Sequence, residues 1–203
     1  MATGLKTTMK QILLSAFLIL LINNTTHSCE DSEVYPNKMF PEVLIKTTQG
    51  DILIELNRTR APITVNNFLQ YVKNGSYINT IFHRVENNFV IQGGGYNKEI
   101  EEIKTCKKIF NESGNGLKNT RGTIAMARYD DPHSASSQFF FNLVDSPSLD
   151  PNRKNWGYTV FGEVIEGMEV LDAISNVKTG FSERLNSASV PLVPIIIQSI
   201  EVK

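Results

Sequence analysis

Cysteine is almost missing from this 203-residue chain, which has only Cys29 and Cys106. Two thiols cannot build a zinc site of the thiolate type, and they allow a single disulfide, Cys29 to Cys106, in an oxidising compartment. Histidine is nearly as scarce, with only His27, His83 and His133. There is no H-E-x-x-H, C-x-x-C or G-x-S-x-G, so zinc-protease, dithiol and nucleophile-elbow chemistry lack their usual signatures. The glycine-rich stretches GGGYN and SGNGLKN do not form G-x-G-x-x-G ahead of a helix, which argues against a dinucleotide site. A Ser-His-Asp set could be drawn from His133 with Ser134, Ser136 and Asp131, but YDDPHSASS has the composition of a solvated loop.

Charge of one sign is also missing. Twenty Lys and Arg face 21 Asp and Glu, for a net charge of -1, and no basic block stands out. Nucleic acid and anionic lipid reward clustered cations, so neither is an expected partner. The longest apolar run is ILLSAFLILLI at 12–22, interrupted only by Ser15, and it is shorter than the ~20 residues of a membrane span. Lys6 and Lys10 precede it and NNTTHSC follows it. That order of cationic, apolar and polar segments predicts a signal peptide over 1–28, with Thr26 and Ser28 forming a small-x-small cut before Cys29. Cleavage leaves 18 of the 20 cationic side chains against 21 acidic ones, a net charge of -3. Cys29 would then be N-terminal, where lipoproteins are acylated, but Thr26 and His27 fit a Leu-led lipobox poorly, so no lipid anchor is expected.

What is present suits one globular domain, with 41% hydrophobic and 20% charged residues, enough to bury a core. Residues 29–41 read as a flexible leader with Pro36 and Pro41, and the domain is expected over 42–203. In EVLIKTTQGDILIEL, Ile52, Ile54 and Leu56 alternate with Asp51, Leu53 and Glu55 beyond a turn at Gln49 and Gly50, which predicts a hairpin with one buried face. The period then changes. Val65, Phe68, Leu69 and Val72 recur at helical spacing behind Pro62, and Gly75 follows as a stop, predicting a helix over 62–73. Short strand-like runs follow at NTIFHRV, FVIQGG, GTIAMAR, QFFFNL, YTVFGEV and VPIIIQSIEV, interrupted by a helix over MEVLDAIS. Seven or eight short strands with two helices predict a mainly β fold, a closed or nearly closed barrel that removes its own edges.

The segment FHRVENNFVIQGGG (82–95) sets Arg84 among strand residues. Strand parity predicts Phe82 and Arg84 on one face, His83 and Val85 on the other, and, beyond a turn at 86–88, Val90 and Gln92 together. The same alternation separates Gln138, Phe140 and Asn142 from Phe139, Phe141 and Leu143. An arginine in such a run ordinarily lies on the solvent face with its stem along apolar neighbours. Phe89, Phe140 and Leu149, like Phe139, Phe141 and Met126, read by residue type as core.

Several motifs in a fixed order change that reading. FHRV, the following F and QGG, then NGLKNTRGTIAMAR, SSQFFFNL, LD and GYTVFGEVIEGMEVLDAI resemble, in order and spacing, the cyclophilin family of peptidyl-prolyl cis-trans isomerases from about 42 to 203. NTRGTIAMAR and SLDPNRKNWGY make the exported bacterial branch the nearest in appearance. The resemblance implies a closed eight-stranded antiparallel β-barrel capped by two α-helices. It also implies rotation about X-Pro bonds without cofactor or metal, by a monomer whose partners are proline-containing polypeptide clients in the periplasm. By the same resemblance the catalytic arginine is Arg84, supported by Gln92. Phe89, Phe140 and Leu149 form the pocket for the proline ring, and Val90 stands where many relatives have methionine. Ala127 and Arg128 lie on the strand whose backbone meets the substrate, and Gln138 is the glutamine of the SQFF motif. His83 is read as a structural hydrogen-bonder.

There are departures from the family pattern. Ser148 occupies the position of a tryptophan that contacts cyclosporin-type inhibitors in eukaryotic relatives, and Tyr158 replaces a histidine, so weak cyclosporin binding is expected. Arg128 replaces a frequent asparagine, and ENN at 86–88 replaces Ile-Pro-Gly. A rival expectation is a binding module of the same fold that docks proline segments without turning them over.

Overall fold

The computed structural model describes residues 32–203. Two short strands, β1 (Glu42–Thr47) and β2 (Gly50–Leu56), fold back on each other with Val43 opposite Ile54 and Ile45 opposite Ile52, all four fully buried. The side chain of Thr47 stabilises the turn, accepting from Gln49 N–H at 3.0 Å and donating to the Gly50 carbonyl at 2.8 Å. Helix α1 (Pro62–Lys73) follows, then β3 (Thr80–Glu86), β4 (Val90–Asn97), β5 (Thr123–Met126), β6 (Phe139–Asn142) and β7 (Val160–Glu166). Helix α2 (Met168–Ser175), a hairpin of β8 (Thr179–Ser182) and β9 (Ser187–Pro191), and β10 (Ile197–Val202) complete the chain.

Eight strands form one antiparallel sheet in the order β10-β1-β2-β7-β5-β6-β4-β3. The two ends meet through a bridge between Ile81 and Ile196 and through hydrogen bonds from Asn79 N–H to Ile197 O (2.8 Å) and Phe82 N–H to Ile195 O (3.0 Å). The result is the expected barrel with its two helices. Its interior is filled by Ile45, Ile52, Ile54, Phe82, Ile91, Ile124, Phe139, Phe141 and Phe161. Both helices run over the expected residues. Phe68 of α1 packs its ring against Tyr77, Phe139 and Phe161 at centroid distances of 5.3, 5.5 and 5.2 Å, and α2 buries Leu171 and Ile174.

Two expectations need correction. Residues 179–191 carry a hairpin that alternation alone did not reveal, because its strands TGFS and SASVP are only four and five residues long and set small or polar residues where a buried face would carry apolar ones. The expected flexible leader is tied to the domain from Ser32 onward, although most of its side chains stay exposed: Val34 is buried, its N–H donates to Asn66 Oδ1 at 2.7 Å, and Gln70 donates to the Ser32 carbonyl. The agent is Arg58, whose buried guanidinium donates to the carbonyls of Lys38 (3.1 Å) and Val34 (2.6 Å). A polar leader therefore gains its order from backbone carbonyls that a buried cation gathers. Cys106 is disulfide-bonded, and the chain's other cysteine, Cys29, lies outside the described residues, as does the expected signal peptide over 1–28.

Candidate active site

A second apolar cluster lies outside the barrel. Strand alternation turns Val90 of β4, Ala125 of β5, Phe140 of β6 and Val160 of β7 away from the interior, and Phe89, Leu117, Ala127, Leu149 and Tyr158 pack around them. These residues floor a cleft of about 190 Å³ lined by Arg84, Phe89, Val90, Gln92, Ala127, Arg128, Phe140, Leu149 and Tyr158. That is below the ~300–1,000 Å³ of sites for drug-sized ligands and suits a single ring. Phe140 is only 4% exposed, yet it faces this cleft, and Tyr158 meets it edge-on at 5.6 Å. Gln138 backs the cleft through Gln92.

Arg84 reaches the cleft by a route that simple parity did not foresee. Phe82 pairs with Gly93 and Arg84 with Gln92, so two steps on β3 match one on β4. This bulge leaves both Phe82 and Val85 in the core and turns Arg84 to the outer face. A bulge re-aims a side chain in this way, and here Phe82 and Arg84 part company where alternation had put them together. Gly94, at φ +76°, and Gly95 follow in β4. A Cβ on Gly95 would come within 2.6 Å of the Gln138 side chain, so the glycine makes room for that glutamine to cross the strand.

The guanidinium is held on three sides. Nη1 donates to Gln92 Oε1 at 3.3 Å, and Gln92 Nε2 donates in turn to Gln138 Oε1 at 2.8 Å. Nε and Nη2 both donate to Glu86 Oε1, at 3.1 and 2.8 Å. The ring of Phe89 lies 5.8 Å from the guanidinium carbon, within the range of a cation–π contact. Glu86 is a site residue that sequence reasoning assigned to a turn. The signal that could have found it is its two-residue offset from Arg84 on one strand face. The turn itself runs through Asn88 at φ +57°, a conformation asparagine tolerates in place of glycine, and it brings Phe89 N–H to the Glu86 carbonyl at 3.1 Å.

Arg128 does not offer a loose cation. Its guanidinium donates to the carbonyls of Tyr129 (2.7 Å) and Trp156 (2.8 Å) and sits 4.7 Å from the Tyr158 ring centroid, so it ties the 150–158 loop to the end of β5. His83 is buried, its proton affinity lowered to about 4 chiefly by desolvation, with the Arg84 charge assisting. It is neutral at ordinary pH. In the His133 loop, Ser134 is not paired with the imidazole: Ser134 Oγ donates to Asp131 O at 2.6 Å and accepts from Tyr129 N–H, while His133 Nδ1 accepts from Asn111 N–H. Among the described residues no three His, Cys, Asp or Glu gather as metal ligands, and no helix is long and apolar enough to cross a membrane.

This arrangement can stabilise a developing lone pair beside an apolar ring, and the comparisons point the same way. A family model described as cyclophilin type peptidyl-prolyl cis-trans isomerase/CLD matches residues 42–202. Peptidyl-prolyl cis-trans isomerase B of Escherichia coli is 49% identical over 163 residues, 79% of this chain and 98% of that protein. An isomerase of Streptomyces antibioticus, cyp18, is 48% identical over 163 residues, 79% of this chain and 97% of its own. A crystal structure of a Cryptosporidium parvum cyclophilin type isomerase superposes with a TM-score of 0.67 at 30% identity, covering 81% of this chain and 98% of that one. The same protein has been crystallised in the presence of the dipeptide Ala-Pro, with a TM-score of 0.66 over 80% of this chain.

Proposed function

The chain belongs to the cyclophilin-type peptidyl-prolyl cis-trans isomerases, and from that premise we propose that Arg84 is the catalytic group of its X-Pro rotation, acting on exported polypeptides. The uncatalysed rotation meets a barrier of ~20 kcal/mol, because the amide nitrogen's lone pair is delocalised into the carbonyl. No covalent bond breaks. Midway through the rotation the delocalisation is lost, the proline nitrogen becomes pyramidal, and its lone pair accepts a hydrogen bond that neither planar isomer can take. A fixed N–H donor aimed at that nitrogen stabilises the twisted form selectively.

Arginine suits this role because its fork is rigid and its charge permanent. Of its five donors, Glu86 occupies two and Gln92 one, leaving two for the substrate. No proton need be transferred, which agrees with a cleft that holds neither histidine nor carboxyl pair. Phe89, Phe140 and Leu149 clamp the proline ring, burial worth about 1–3 kcal/mol, so that the preceding residue swings while the ring stays. Val90 and Tyr158 close the pocket, and Ala127 and Arg128 offer backbone to the substrate. An acceleration of about 10⁵ requires roughly 7 kcal/mol, shared between the donor and the anchored ring.

The observation that carries this reading is the convergence of Arg84, Gln92, Phe89, Phe140 and Leu149 on one cleft. In a proline-coupled peptide assay, Arg84→Ala is expected to lower kcat at least ~100-fold, in keeping with loss of a transition-state donor, while peptide affinity changes only a few-fold. Equal losses of affinity and rate would assign Arg84 to binding alone. Ser148 before Leu149 supports weak cyclosporin affinity.

Residues 1–28 read as a signal peptide, and on that basis the enzyme assists folding of clients in a bacterial periplasm as an unanchored monomer. Mass spectrometry of the exported protein should find Cys29 N-terminal and unacylated. An intact N-terminus in the cytoplasmic fraction would sink the assignment to the periplasm.

A further inference from the structure

At the end of β3 the chain places a carboxylate, that of Glu86, on the guanidinium that the reaction depends on. Oε1 of Glu86 accepts from Nε and Nη2 of Arg84 at 3.1 and 2.8 Å, and from Ser189 Oγ of β9 at 3.3 Å. The hairpin that strand alternation did not reveal thus reaches across to hold the carboxylate from behind. We propose that Glu86, backed by Ser189, is a positioning residue for Arg84: it grips the inner edge of the fork so that the remaining N–H bonds point into the cleft. This inference rests on the catalytic role given above to Arg84.

What the Glu86 contact supplies is orientation rather than stability. An arginine side chain is rich in rotamers, and the Gln92 contact alone, at 3.3 Å to one nitrogen, leaves the guanidinium free to turn about that bond. Two charge-assisted bonds to the opposite edge remove that freedom. Both side chains are about one-third exposed, 35% for Arg84 and 36% for Glu86. An ion pair so exposed contributes little to folding, so its removal should leave the barrel intact. The carboxylate also draws on the guanidinium's positive charge, an effect that would slow the reaction. The arrangement predicts that alignment outweighs it, because the nitrogen to be met is neutral and its lone pair has one direction.

Variants separate shape from charge. Glu86→Gln keeps a carbonyl oxygen in reach of both N–H groups and drops the charge. Glu86→Asp keeps the charge on a shorter arm. In the peptide assay on the whole domain, Glu86→Ala and Glu86→Asp are expected to lower kcat about 5- to 20-fold with KM within twofold, Glu86→Gln to retain at least half of kcat, and Ser189→Ala to lose about twofold. The Arg84 Nε–H resonance should exchange slowly in wild type and Glu86→Gln, and quickly in Glu86→Asp. Unchanged or faster turnover in Glu86→Asp, or a Glu86→Gln variant as impaired as Glu86→Asp, overturns the proposal. Arg84→Ala run alongside keeps the two readings apart: if that variant turns over normally, the role of Arg84 itself has failed. If Arg84→Ala is inactive and the Glu86 variants are all normal, only the positioning role has.

Discussion

At the scale of single residues, the clearest consequence of the structure concerns His83. Sequence reading made it a structural hydrogen-bonder, and it is buried between the barrel wall and Tyr96, whose ring meets it edge-on at 4.8 Å. Its proton affinity in the folded state is lowered to about 4 by burial, against about 6.5 in the unfolded chain. The unfolded state therefore binds a proton that the folded state refuses, and the stability present above pH 6.5 is lost as pH falls from about 6.5 towards 4. Linkage puts this at up to about 3 kcal/mol for the single group. Urea unfolding across that window should show the loss, and His83→Phe should flatten the pH slope by a comparable amount. Arg84 was legible as the site's cation only through the order of motifs around it. Its escape from the face of Phe82 was not, since a bulge is a property of two strands and one of them carries no mark of it.

Elements owe their ends to distant parts of the chain. Helix α1 was readable from its apolar spacing and from Pro62, yet Ala61 at its N-cap provides no side-chain hydrogen bond. Glu112 does so instead, taking Ile63 N–H at 3.2 Å, Thr64 N–H at 2.8 Å and the Thr64 hydroxyl at 2.7 Å. A carboxylate there satisfies two otherwise unpaired donors and meets the positive end of the helix dipole. Glu112→Ala is expected to lower the unfolding free energy by about 1–2 kcal/mol, the usual worth of a cap, measured by denaturant titration, with Glu112→Gln recovering part of it. No local signal links positions 63 and 112. The β8–β9 hairpin escaped for a related reason: its partly covered positions hold Gly180, Ser182, Ser187 and Ser189, which carry no apolar mark of the face they turn inward.

For the whole molecule, the leader is the informative part. The Arg58 side chain, 3% exposed, gathers the carbonyls of Val34 and Lys38, and its backbone N–H donates to Met39 O, so that with Asn66 at Val34 N–H Arg58 holds residues 34–39 against the barrel. Charge-assisted bonds of this kind contribute about 1.5–3 kcal/mol each. Arg58→Ala should free the segment, with a loss of roughly 2–3 kcal/mol in unfolding free energy. Hydrogen exchange offers a sharper test: the amides of Val34 and Lys38 should lose protection while those of β1 and β2 keep theirs. Uniform loss across the barrel would show that the leader is integral to the fold rather than fastened onto it.

The linear chain by itself determined the two helices, the barrel strands and the set of residues that meet in one cleft, because periodicity and motif order depend on near neighbours and survive without knowledge of the fold. Tertiary structure alone decided where Arg84 points, that Glu86 holds it alongside Gln92, how α1 is capped and why the leader is ordered. Each of those depends on a polar group finding its partner across the fold, between residues such as Glu86 and Ser189 or Arg58 and Val34. Hydrogen bonding acts over about 3 Å in space and leaves no period in the sequence.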